Sequence, residues 1–125
     1  MAEVNDMNES ELSDLEMKFK QAMAAAYEVF GNDAFRKRYK ADSSRKPVNK
    51  ALFESWSVNL SKLSNDQLQT LLKRKEQLKE GFIKLMNDFT TEPKFDSAIS
   101  QGTGDTRKVK RRFSAIEELI QEVLA

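Results

Sequence analysis

The chain has 125 residues, with 21 Lys and Arg against 20 Asp and Glu, four Gly, two Pro and neither His nor Cys, which makes it one domain of ordinary size with almost no formal net charge. Without an imidazole or a thiol, His-based triads, thiol nucleophiles, zinc fingers and ββα-metal nucleases with a His general base are all excluded. An apolar fraction of 39% beside 33% charged residues suits a globular chain with a buried core.

No apolar run approaches the roughly 20 residues that span a bilayer. The start MAEVNDMNESE is acidic where a signal peptide is basic and then apolar, so a cytoplasmic location is expected. Residues 1–8 read as a flexible N-terminal segment and 9–125 as a single helical domain. Asn8 with Glu11 forms a capping-box pattern. Leu12, Leu15, Phe19, Met23, Ala26 and Phe30 then recur on one stripe to a stop at Gly31, predicting a helix of about 22 residues. The run Ala24 to Ala26 invites close approach by another helix. Asp33 reads as the cap of a short helix through Phe35 and Tyr39, followed by the loop ADSSRKP.

The next helix starts near Pro47 or Asn49, carries Leu52, Phe53, Trp56, Leu60 and Leu63 on one face, and ends near Leu63. Ser64 with Gln67 is a second capping box and opens the longest predicted helix, whose stripe runs Leu68, Leu71, Leu78, Phe82, Leu85, Met86 and Phe89, broken at Lys75. Thr91, Glu92 and Pro93 read as a restart leading into a short segment through Phe95 and Ile99. After the loop SQGTGDT, Val109, Phe113, Ile116, Ile120 and Val123 form a narrow stripe with Leu124 at its edge. No period-two strand and no internal repeat appears, so the expected fold is all-α, a compact bundle of about four long and two short helices.

The near-zero net charge hides a partition. Residues 1–35 carry eight acids and two bases, residues 36–50 seven bases and one acid, and residues 107–112 five bases and no acid. Such blocks either pair with each other inside the fold or form a phosphate-binding face. Arg107, Lys108, Lys110, Arg111 and Arg112 have no acid three or four residues on, and cations in the first turns of a helix oppose its dipole. Their partner is therefore a tertiary acid, an external polyanion such as nucleic acid, or water. Arg36, Lys37, Arg38, Arg45 and Lys46 join them as phosphate-contact candidates if the fold brings the two blocks together.

Gly102, Thr103 and Gly104 before the last helix read either as a turn with an N-cap or as an anion-binding loop. Lys75 in an apolar stripe snorkels, pairs with an acid, or marks a site with a shifted pKa. Trp56 with Phe53, Tyr27 and Phe30 is core by spacing, with a base-stacking platform as the alternative. No metal or cofactor motif is present, and no cofactor is expected.

The stretches PVNKALFESWSVNLSKLS from Pro47 and FDSAISQGTGDTRKVKRRFSAIEELI from Phe95 carry a resemblance. With Asn49, Lys50, Ala51, Leu52 and Phe53 in the first and Phe95, Ile99, Gly102, Thr103, Arg112 and Phe113 in the second, the chain resembles the helical C-terminal region of domain-of-unknown-function family 262. That is the family of the GmrSD restriction enzymes, and the likeness covers roughly residues 12–124. Its members place a ParB-like domain with a DGQQR-type nucleotide motif before the helices, and many pair with an HNH nuclease domain. This sequence has no DGQ and no His.

The resemblance implies a non-enzymatic accessory module of a prokaryotic defence protein, packing on the ParB-like domain in cis or in trans, with DNA phosphates as a further partner. The alternatives are a stand-alone protein-interaction or scaffold domain without nucleic-acid binding, and a small enzyme working through carboxylates or Lys75.

Overall fold

A computed structural model describes residues 9–40 and 46–125. The Asn8 cap, the predicted flexible segment and Arg45 lie outside the described residues. Six α-helices run through the rest: α1 (Glu9–Phe30), α2 (Lys50–Ser61), α3 (Asn65–Lys73), α4 (Lys75–Met86), α5 (Phe95–Ser100) and α6 (Thr106–Leu124), with a short 3₁₀ turn at Gly31–Asp33. Among the described residues no strand forms beyond a single antiparallel bridge between Arg36 and Val48. None of their helices is long and apolar enough to cross a membrane.

Local chemistry sets several helix ends. The Asn49 side chain accepts from the Leu52 N–H at 2.9 Å and starts α2. Ser64 and Gln67 exchange reciprocal bonds of 3.2 and 2.9 Å and start α3. Asp105 accepts from the Arg107 N–H at 2.8 Å and starts α6. Gly31, at φ 58°, takes the left-handed conformation that stops α1.

α6 packs along α2, α3, α4 and α5, while α1 lies against α2, α3 and α4. Between them an edge-to-face chain of rings fills the centre: Phe30 on Trp56 at 5.2 Å, Trp56 on Phe82 at 5.8 Å, Phe82 on Phe95 at 6.3 Å. Trp56 is 2% exposed and belongs to the core, whereas Tyr27 is on the surface, so these aromatics do not form one stacking platform. Buried Asn59 ties α2 to α6, its Nδ2 donating to the Ser55 and Phe113 carbonyls.

The helix count of six hides two corrections. The predicted short helix through Phe35 and Tyr39 does not form. Phe35 sits at φ 63°, buried against Phe53 and Tyr27 at ring separations of 5.0 and 6.2 Å, and its carbonyl accepts from the Asn49 N–H. A left-handed Phe costs of order 1 kcal/mol or more, and burial of its ring offsets that cost.

The predicted longest helix is instead two, interrupted at Arg74 (φ −108°, ψ 28°). Leu71 and Leu78 stay buried on either side of the break, and Arg74 and Lys75 are left half-exposed. The Arg74 guanidinium donates to the Val123 and Ala125 carbonyls at 2.7 and 3.1 Å, closing the C-terminal end of α6. Lys75 is thus the first residue of α4, at a helix boundary rather than inside a buried stripe.

α1 also departs from expectation. Its buried residues are Ala22, Ala25, Ala26 and Val29, all in the second half, while Leu15 and Phe19 are 50% and 46% exposed. The small residues let α2 and α4 approach, and the bulky stripe of the first half is left uncovered.

Candidate interaction surfaces

One cation of the first basic block, Lys37, and two of the second, Lys108 and Arg112, meet at α5 and the turn that follows it. Lys37 bonds the Ser100 hydroxyl and lies 3.5 Å from Asp96, while Lys108 Nζ donates to the Gln101 carbonyl at 2.6 Å. Arg112 is 5% exposed and donates to the Ala98 and Thr103 carbonyls at 3.3 and 2.7 Å, with Glu54 at 3.9 Å and the Phe113 ring 5.7 Å away. Asn49 Nδ2 adds a bond to the Ile99 carbonyl. The last carbonyls of a helix have no partners within it, and here cations and an amide supply them.

The other cations of the two blocks are placed as follows. Arg111 donates to the Pro93 carbonyl at 3.0 Å and to Asp88 at 3.2 Å. The Asp88 carboxyl is held below its ordinary pKa, first by the Thr90 hydroxyl and N–H, with Arg111 adding a smaller push. Arg36 donates to the Asn32 and Lys46 carbonyls, and Arg38 pairs with Asp33 at 2.8 Å. Lys46 is half-buried; Arg107, with its side chain 84% exposed and 3.8 Å from Asp105, and Lys110 face solvent.

Gly102, Thr103 and Gly104 are exposed, yet the loop around them is already engaged. The Gln101 and Thr103 carbonyls face Lys108 and Arg112, and the Asp105 carboxylate occupies the helix N-terminus. Turned this way, the loop offers oxygens to cations. Among the described residues no three acidic side chains gather as a metal site.

Tyr39 closes a network on the same side. Its hydroxyl donates to Asp96, whose two oxygens lie at 3.1 and 3.0 Å, and its carbonyl accepts from Asn87 Nδ2. Burial, the bond to Asp96 and the nearby negative charge push the phenol up to about 12.

The surface that charge reading missed is apolar. Leu15 and Phe19 on α1 face Phe53 and Val58 on α2 across a trough of about 550 Å³, with Glu16, Lys20 and Glu54 among its rim residues. Phe19 meets Phe53 edge-on at 6.4 Å. A signal for it was present in the sequence: Leu15 and Phe19 belong to the predicted stripe of α1 and Phe53 to the predicted apolar face of α2.

Fold and surface together define an all-α domain with an uncovered apolar trough and a largely engaged basic side. Comparison with protein-family models, with curated proteins and with solved structures finds no match.

Proposed function

We propose that this chain is a non-enzymatic helical accessory module that packs on a partner protein domain, the ParB-like domain of a GmrSD-like defence system being the partner its sequence resemblance suggests. The observation that carries the reading is the trough between α1 and α2. Leu15, Phe19 and Val58 are 50%, 46% and 40% exposed there and line one continuous apolar surface. A contiguous apolar surface with a charged rim is the composition of a protein interface.

Phosphate contact through the basic blocks is the weaker reading. Lys37, Lys108, Arg111 and Arg112 already hold carbonyls and carboxylates of the same chain. Two phosphate contacts, through Arg107 and Lys110, would lose only about tenfold in DNA affinity between about 50 and about 200 mM salt, whereas six or more contacts would lose about a thousandfold or more.

The test is calorimetry of the purified chain with the ParB-like domain of the same system, alongside a labelled duplex, over that salt range. A complex whose affinity changes little with salt is expected. No complex, together with duplex binding that collapses a thousandfold, would replace the docking reading with a nucleic-acid one.

A further inference from the structure

We infer that the α1–α2 trough receives a basic amphipathic helix of the partner protein, an assignment that rests on the docking reading above. Three features of the trough select the occupant.

The first is the lack of polar groups aimed over the floor, since Glu16, Lys20 and Glu54 stand at the rim. The two hydroxyls on the α2 side are already spent on their own helix, Ser57 donating to the Phe53 carbonyl and Ser61 to the Val58 carbonyl. Small-molecule sites are enclosed and carry a few aimed polar groups. This one is an open channel with an apolar floor.

The second is shape. Two packed helices leave a groove between their ridges into which the ridge of a third helix fits, with anchors recurring at i, i+3, i+4 and i+7. Leu15 and Phe19 are themselves spaced four apart along one wall, the spacing such anchors meet.

The third is charge. Glu16 and Glu54 rim the two walls, with Lys20 one turn beyond Glu16, and Glu9 and Glu11 make the first turn of α1 acidic. Residues 9–20 carry four acids against the two bases Lys18 and Lys20, so a second copy of this stretch laid alongside meets net like charge, while a helix flanked by Lys and Arg meets net opposite charge.

The experiment titrates the full chain into three labelled peptides, read by anisotropy. One has Leu at i, i+3, i+4 and i+7 with Lys elsewhere; one replaces every Lys by Glu; one scrambles the Leu and Lys order. The ordered Leu/Lys peptide should bind saturably and at least about tenfold more tightly than either control. Leu15→Glu and Val58→Glu should each weaken it by about tenfold or more, with circular dichroism melts unchanged because both side chains are on the surface. Glu16→Lys should reduce the preference for the Lys peptide over the Glu peptide.

Equal binding of the Glu or scrambled peptide, or wild-type affinity in both Leu15→Glu and Val58→Glu, overturns the assignment. So does a dimer of the chain itself that Val58→Glu dissociates, which would give the trough to a second copy. A partner-domain complex that survives both substitutions would leave the docking reading standing and place the contact elsewhere. Loss of peptide binding in both variants without any such complex would keep the trough and remove only the ParB-like partner.

Discussion

At the scale of single residues, Arg112 shows how a cation with no acidic neighbour in sequence finds its partners. Its guanidinium is 5% exposed, spans the Ala98 and Thr103 carbonyls, and leaves Nε as a buried donor without a partner. Removing it strands one carbonyl at the end of α5, that of Ala98, and one in the turn before α6, that of Thr103. Arg112→Ala is expected to cost about 2–4 kcal/mol in urea denaturation, within the range for breaking buried charged hydrogen bonds. Arg112→Lys should recover little, because one ammonium does not reproduce the planar fork. Arg107→Glu, at an exposed side chain, should stay within about 0.5 kcal/mol. A cost below about 1 kcal/mol for Arg112→Ala would mean that the turn holds without its staple. That Arg112 needs a partner from outside its own helix was legible in the sequence, but which partners was not, because they are main-chain carbonyls and every residue carries one.

At the scale of elements, α4 and α6 meet at Gly81. A Cβ built there would lie 2.3 Å from Leu119 Cδ1, so an alanine forces the leucine side chain aside. Alanine improves helix propensity by about 1 kcal/mol, and overpacking costs about 1–3 kcal/mol, so Gly81→Ala should be net destabilising by about 1 kcal/mol. In a Leu119→Ala background the clash is gone and the same change should be neutral or stabilising. A double-mutant cycle by denaturation reads the coupling directly, and additive effects would show that the contact does not set the packing distance. Contacts of this kind also explain α1. Spacing identified a stripe whose second half, Met23, Ala26 and Phe30, packs on the core, and the Ala24–Ala26 run invited the approach that buries Ala25 and Ala26, while Leu15 and Phe19 of the first half stay exposed.

At the scale of the whole molecule, the segment after α1 is held by residues far along the chain. Tyr39 donates to Asp96 and accepts from Asn87, and Lys37 bonds Ser100 and Asp96, which joins the first third of the chain to the end of α4 and to α5. The phenol at about 12 gives this tie a pH signature. Unfolding exposes Tyr39 to water, where it ionises near 10. The folded chain holds the extra proton between those values, so the contribution is complete below pH 10 and is lost as pH rises toward 12. Thermal melts across that window should fall more steeply for the wild type than for Tyr39→Phe, and a tyrosinate absorbance step near pH 12 should vanish in the variant. Parallel curves for the two proteins would show that the phenol does not couple to folding. The same scale governs docking. A trough bounded by two helices exists only once α1 and α2 are packed, and the salt response of its complexes is a property of the assembled surface.

The all-α class, the starts of α2, α3 and α6, and the core character of Trp56, Phe82, Phe95, Ile116 and Ile120 were determined by the sequence by itself. Capping bonds join residues two or three apart and apolar stripes repeat every 3.6, so both are written within one or two turns of chain. Tertiary structure alone decided the left-handed turn at Phe35, the break at Arg74, the exposure of Leu15 and Phe19 and the fate of the basic blocks. Each depends on groups distant in sequence: the rings that bury Phe35, the end of α6 that receives Arg74, the α5 carbonyls that take the cations. A residue's type states what it is able to bond; which partner stands beside it is settled only when the helices pack.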